Sequence, residues 1–336
     1  MKCVEIATTN GPEGLRLAER PVPKAGPRQV VVRVHAASIN YRDAMILSGA
    51  HARGVDLPRI PLSDGAGEIV EVGSEVTRVK KGDRVCGSFF QRWIDGPVFP
   101  AMQDHALGGT AEGMLTEYAL LEGDGVVTFP DHLSYAEAAT LPCAGLTAWH
   151  GLIEAGGLRA GETALLLGTG GVSVFGLQFA RAAGANAIIT SSSDAKLERA
   201  KSLGATGTVN YAANPKWAET VVSLTGGRGV DAILDVAGGD STKGALTAVR
   251  HGGFIGIIGG RSGPGGELDR SFILRKGINV RGINVGSRAM FEAMNRAIAT
   301  AKLKPQIDKT FAMADSVAAY KDFLTGKQFG KVVITI

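Results

Sequence analysis

The residues best suited to chemistry lie between Thr163 and Ser173, in TALLLGTGGVS. A short apolar run leads into Gly168, Gly170 and Gly171, and then into the helical pattern VSVFGLQFARAAGA. That is the order a dinucleotide site needs. Gly168 lets a strand end in a tight turn, and Gly170 lets the backbone approach a pyrophosphate. The N–H groups of Gly171 and Val172, at the positive end of the helix, then face its charge. The spacing is GxG, with Ser173 standing where a third glycine would complete GxGxxG. A second cluster follows in TSSSDAKLER, 190–199. An acid at this place would accept from a ribose 2′-OH, whereas hydroxyls and a cation suit a 2′-phosphate. Ser191, Ser192 and Lys196 therefore point to NADP(H), with Asp194 expected as the N-cap of the next helix. The alternative is that these serines only cap the helix and Lys196 is solvated.

Positioning such residues takes a particular frame. Apolar runs at 163–167, 186–190, 207–210, 231–236, 254–258 and 278–284 read as strands. Helical patterns at 172–183, 194–203, 215–224, 242–250 and 268–275 alternate with them. Six strands with intervening helices imply an α/β doubly wound parallel sheet, which binds ligands at the carboxyl ends of its strands. The glycine turn follows the first strand, where that rule puts it.

The first 125 or so residues have another texture. VVVRVHAASIN and GEIVEVG read as strands, a third follows at 84–89, and Pro21, Pro23, Pro27, Pro58 and Pro61 punctuate the segment. A mostly β domain is expected there. The stretch 87–125 reads as loop with embedded strand, in which Phe89, Trp93 and Phe99 either line an apolar pocket or pack beneath the loop. A helix is expected at 290–300, and FGKVVITI closes the chain as a strand. At 336 residues two domains are expected.

Composition narrows the function classes. A net charge of +4 with dispersed Lys and Arg argues against a nucleic-acid partner. No apolar run approaches the ~18 residues of a membrane span, and MKCVEIATTNGPEG lacks a signal core. Three widely spaced cysteines, Cys3, Cys86 and Cys143, suit a reducing cytoplasm. The six histidines do not converge in sequence, so a structural or solvated role is expected for each.

Several motifs in order carry a family resemblance: NYRDAMILSG (40–49), IPLSDGAGEIVEVG (60–73), VKKGDRV (79–85), LPCAGLTAWHGL (141–152), the glycine turn, and FGKVVI (329–334). Over nearly its whole length the chain resembles the medium-chain dehydrogenase/reductase superfamily, in its zinc-independent, quinone-oxidoreductase-like or alcohol-dehydrogenase-like branch. The resemblance implies a Rossmann NADP-binding domain at 145–286 inserted into a GroES-like, mostly β domain at 1–144 and 287–336. It also implies a homodimer joined through the last strand of the Rossmann sheet.

Zinc-dependent relatives hold the metal with a Cys, a His in a Gly-His-Glu segment, and a later Cys. Here Asn40 and Ser63 take the first two positions, Leu62 and Asp64 replace the flanking Gly and Glu, and Cys143 matches the third. One thiolate beside an amide and a hydroxyl does not make a catalytic zinc site, so no zinc is expected and Cys143 reads as a small buried hydrophobe.

The resemblance further implies cofactor contacts by Asn40, Thr147, Tyr211, Gly238, Gly259, Val285 and Ser287; for the glycines, plain turn geometry is the rival account. Without zinc, acceptors that delocalise developing charge are favoured, namely quinones and α,β-unsaturated carbonyls. Asn40 is a candidate donor to a carbonyl oxygen, with Tyr41 or Asp43 as proton relay. Against this, Asn40 only holds the cofactor, Tyr41 packs, and Asp43 pairs with a nearby Arg. Two further functions stay open: an alcohol or aldehyde dehydrogenase, and a cofactor-binding protein with little turnover.

Overall fold

The structure, a computed structural model, describes residues 1–51, 55–239, 241–259 and 268–336. The chain divides into two compact units. One comprises Met1–Leu146 with Val285–Ile336, the other Thr147–Asn284.

Among the described residues, the inner unit is built on six parallel strands. Their spatial order is Gly207–Asn210, Asn186–Ser191, Thr163–Leu166, Val230–Asp235, Val249–Ile257, Asn279–Gly282. By sequence this is 3-2-1-4-5-6, the Rossmann order, whose reversal lies between Thr163–Leu166 and Val230–Asp235. The central strands are continuous apolar runs because helices cover both faces. Leu165, Ile188, Val209, Ile233 and Ile255 share one core cluster, and full burial of each such side chain contributes roughly 1.5–3 kcal/mol.

The strand expected at 254–258 begins earlier, at Val249, and the preceding helix stops at Ala248. Lys276 explains the stop. Its ammonium donates to the carbonyls of Leu246, Thr247 and Val249, at 3.0, 2.9 and 2.6 Å, satisfying groups a helix end leaves open.

The outer unit holds a mixed sheet, ordered Ile307–Ala312, Lys331–Thr335, Gln29–Ser38, Asp64–Val72, Arg84–Gly87, Val126–Thr128, with Tyr118–Glu122 also paired to Gln29–Ser38. Lys2–Ile6 and Leu15–Glu19 form a separate antiparallel ribbon. The closing strand pairs antiparallel with the first long one, Val333 opposite Ser38 and Ile334 opposite Ala37. That register carries Lys331 to the end of Gln29–Ser38, where the backbone turns into the helix Tyr41–Leu47.

Several elements have no counterpart in the sequence reading, among them the strand Ile307–Ala312 and the helix Ser316–Leu324. The strand lies at the sheet edge, and no residue in IDKTFA is fully buried. It therefore lacks the apolar alternation that marks half-buried strands.

Candidate functional site

In the inner unit the glycine turn is built as the chemistry requires. Gly168 has φ +80°, a left-handed conformation that glycine adopts without strain, and its N–H donates to Thr190 Oγ1 at 3.1 Å. At Gly170 a Cβ would meet nothing within 4 Å, so open space lies before the helix Gly171–Ala182, which starts without a side-chain cap. Uncapped N–H groups of the first turn, Gly171 and Val172 among them, are the donors an anion takes up.

Ser173 is fully buried and its hydroxyl donates to the Leu167 carbonyl at 2.8 Å. Close helix–strand packing, the usual duty of the third glycine, falls instead to Gly176. A Cβ there would stand 2.7 Å from a Leu166 methyl and 3.2 Å from one of Leu234.

At the tip of the second strand, Ser191 is buried; its Oγ accepts from the Ser193 amide at 3.2 Å and keeps its own proton to donate. Ser192 is exposed, Lys196 is half-buried one turn into the following helix, and Tyr211 is exposed, with its N–H donating to the Ser191 carbonyl at 3.1 Å. Asp194 is not the N-cap. Ser193 takes that position, and Asp194 opens the helix with its carboxylate accepting from Asn210 Nδ2 at 2.7 Å.

At the carboxyl end of Val230–Asp235, a residue that sequence reasoning missed organises the turn. Asp235 is fully buried, and one carboxylate oxygen accepts from the amides of Ala237 and Gly238 at 3.1 and 3.0 Å. Ser241 and Thr242 add hydroxyl bonds at 3.2 and 3.4 Å. Gly259 follows the neighbouring strand, its N–H donating to the Asp235 carbonyl at 3.4 Å. Gly168, Gly170 and Gly238 thus stand at the strand ends flanking the switch point, and Gly259 at the next strand end. Thr147 is buried near the beginning of this unit.

Val285 and Ser287 belong to the outer unit. Val285 holds φ +29°, strained for a β-branched residue. Ser287 is fully buried and caps the helix Arg288–Ala301, accepting from the Met290 amide at 3.3 Å; its oxygen has a structural duty.

The outer unit gathers a second cluster around Asn40, the N-cap of Tyr41–Leu47. Asn40 Oδ1 accepts from Lys331 Nζ at 2.5 Å, and Nδ2 stands 3.5 Å from Ser63 Oγ. Lys331 also donates to the Ile39 carbonyl at 3.0 Å and faces Asp64 Oδ2 at 3.4 Å. The Ser63 hydroxyl donates to Asp64 at 3.0 Å, and the Ser38 hydroxyl is shared between Asp64 at 3.1 Å and the Ala139 carbonyl at 2.9 Å. Lys331 is 3% exposed and Asp64 fully buried, so each charge depends on the other. Lys331 lay unremarked within FGKVVI; a lysine heading an otherwise apolar closing strand was the available signal.

The structure gives Asp43 the arginine partner that the rival account expected. Asp43 is 1% exposed, one oxygen accepting the Asn40 N–H at 2.8 Å and the other facing Arg42 at 3.3 Å. Burial pushes its carboxyl above the ordinary range against the pull of Arg42. Its local bonds are thus a cap and an ion pair. Tyr41, by contrast, is exposed beside Asn40. Arg42 also donates to the Leu107 carbonyl and lies 4.2 Å over the Phe89 ring. Phe89 and Trp93 are buried packing residues, and Phe99 is exposed.

These donors do not fit a zinc ion. Asn40 Oδ1 already faces an ammonium, and the Ser63 hydroxyl donates to Asp64. Cys143 is only partly buried by area, a departure from the sequence expectation, yet desolvation of its sulfur and the Asp64 charge push the thiol well above its usual range.

Comparison with known proteins bears on the whole chain. Residues 26–131 match the alcohol dehydrogenase GroES-like domain, and 171–300 match the zinc-binding dehydrogenase model. A zinc-type alcohol dehydrogenase-like protein of Schizosaccharomyces pombe is 41% identical, covering 97% of this chain and 96% of its own. A quinone oxidoreductase of Pseudomonas aeruginosa is 30% identical with 99% of each chain covered. The crystal structure of a putative alcohol dehydrogenase from Sinorhizobium meliloti is 42% identical, with TM-score 0.93 over 100% of this chain and 98% of its own. With its GroES-like domain and its nucleotide-binding 3-2-1-4-5-6 sheet, the chain belongs to the medium-chain dehydrogenase/reductase superfamily of NAD(P)H-dependent oxidoreductases.

Proposed function

We propose that the protein is an NADPH-dependent, zinc-independent reductase of quinones or α,β-unsaturated carbonyls. The observation that carries this is the exchange at the family's metal position. An amide, Asn40, stands there over a buried Lys331–Asp64 pair, a donor set poorly suited to zinc. An amide N–H stabilises developing negative charge less than a Lewis acid does, so acceptors that delocalise the charge are favoured.

When bound, the nicotinamide supplies the hydride. Gly168, Gly170 and the helix N-terminus at Gly171 hold the pyrophosphate, while Ser191, Ser192 and Lys196 receive the 2′-phosphate, beside Tyr211. Asn40 Nδ2 donates to the acceptor oxygen, and Tyr41, exposed to solvent, relays the proton.

The 41% and 42% identities to proteins named for alcohol dehydrogenase keep a second reading, oxidation of simple alcohols without zinc. One experiment separates the readings. NADPH and NADH are titrated, then turnover is followed with a quinone, an enone and a simple alcohol, with and without chelator. Tighter NADPH binding and chelator-insensitive reduction of the quinone or enone are expected. Tighter NADH binding overturns the cofactor choice, and chelator-resistant alcohol oxidation alone establishes the runner-up. Cofactor binding without any turnover would make it a binding protein.

The exposed edge strand Asn279–Gly282 supports a homodimer by sheet extension, which a monomeric mass in light scattering of the same preparation would refute. Cys3, Cys86 and Cys143, all unbridged, support a reducing compartment such as the cytoplasm. Among the described residues no helix is long and apolar enough to cross a membrane.

A further inference from the structure

We propose that Lys331 is a positioning residue that acts on the substrate through Asn40, fixing the amide so that its NH₂ end is presented to the acceptor oxygen. The inference rests on the role given to Asn40 above.

An amide side chain has two ends of similar shape, and turned the wrong way round Asn40 would offer an acceptor where the reaction needs a donor. A lysine ammonium carries three donors and no acceptor. At 2.5 Å it faces only Oδ1, because the turned amide would set NH₂ against NH₃⁺. Nδ2 is thereby aimed the other way. Among the described residues its hydrogen-bond partner on that side is Ser63 Oγ at a long 3.5 Å, so the amide retains donor capacity. The ammonium also draws charge from Oδ1, which makes the N–H bonds better donors in this buried cluster.

Lys331 is itself held. It is 3% exposed, the Ile39 carbonyl accepts at 3.0 Å, and Asp64 balances the charge. Asp64 is locked in turn by the Ser38 and Ser63 hydroxyls. The rival account is that Lys331 merely neutralises Asp64.

A double-mutant cycle distinguishes the two, using Lys331→Met, Asn40→Ala and their combination, with NADPH and a quinone or enone acceptor. Lys331→Met is expected to lower kcat about 10- to 100-fold with KM changed far less, as for loss of a transition-state donor. In the Asn40→Ala background the same substitution should change kcat by less than about twofold, because its route of action is gone. Lys331→Arg, another donor-only cation, should recover most of the rate.

Equal losses in both backgrounds would overturn the proposal and leave Lys331 a structural neutraliser. An Asn40→Ala enzyme with unchanged kcat would instead defeat the donor role of Asn40 itself, and the inference with it. Lys331→Met strands a buried carboxylate, so Lys331→Met/Asp64→Asn, which removes both charges, provides a second folded background for the cycle. Thermal midpoint and NADPH affinity by fluorescence quenching are read for every variant. A rate loss tracking a fall in either one counts against positioning.

Discussion

Leu62 holds φ +72°, a left-handed conformation, at the position where zinc-dependent relatives carry the glycine of Gly-His-Glu. Gly108 closes over this position, and a Cβ at Gly108 would stand 2.7 Å from the Leu62 backbone. Leu62→Gly would relieve roughly 1–2 kcal/mol of backbone strain. It would also remove a fully buried side chain, at about 2–5 kcal/mol. Burial wins, so a net loss of about 1–3 kcal/mol in urea unfolding is expected; a more stable variant would show that strain dominates. The same comparison of local and distant forces governs what the sequence disclosed about this cluster. Asn40, Ser63 and Cys143 were legible because each sits in a motif aligned with a known ligand position. Lys331 was not, for its tie to Asn40 spans 291 residues and exists only through the register of the closing strand. At Asp43 the local context was the more informative. An acid three residues after an N-cap has a local use, the reciprocal cap, which the structure shows.

At the scale of elements, the first helix of the inner unit shows how an incomplete fingerprint is made whole. Seven of the twelve residues in Gly171–Ala182 are buried, so the helix presses against the sheet on most sides. Gly176 permits the approach, and the Ser173 hydroxyl secures the turn to the Leu167 carbonyl. Restoring the third glycine should therefore weaken the protein. Ser173→Gly loses a buried hydrogen bond, about 1 kcal/mol, and adds a helical glycine at roughly 0.5–1 kcal/mol. A fall of about 1–2 kcal/mol is expected in thermal or urea melts, with NADPH affinity nearly unchanged. Gly176→Ala should cost about 1–3 kcal/mol through overpacking. If Ser173→Gly stabilised the fold, Gly176 would not be the packing glycine. This pairing was hidden because the spacing template looks at position 173 alone. The order of strands and helices in the inner unit, by contrast, was legible though not every boundary, since long apolar periods speak for buried elements; Ile307–Ala312, partly exposed at an edge, gave no such period.

Across the whole molecule, ligand chemistry and stability use opposite ends of the inner sheet. The glycines converge at the carboxyl ends of the strands, while a charged knot ties the amino ends. Asp231, at the start of Val230–Asp235, accepts from the Thr163 amide at 2.8 Å and from Arg228 at 2.9 and 2.5 Å. Arg250, from the next strand, adds a bond at 2.6 Å. Three adjacent strands thus share one 5% exposed carboxylate. Desolvation alone would raise its pKa, but the bonds from Arg228, Arg250 and the Thr163 amide outweigh it and bring the value from 3.8 to about 2. The folded state therefore binds this proton less readily than the unfolded chain does. Stability from the knot is complete above about pH 4, is lost as pH falls toward about 2, and amounts to about 2 kcal/mol. Asp231→Asn should remove that increment at neutral pH and flatten the acid limb of unfolding free energy measured between pH 6 and 3. Because the knot lies away from the nucleotide edge, NADPH affinity of the folded variant should hold. An acid limb as steep as the parent's would mean that other carboxylates, not Asp231, set the acid sensitivity of this fold.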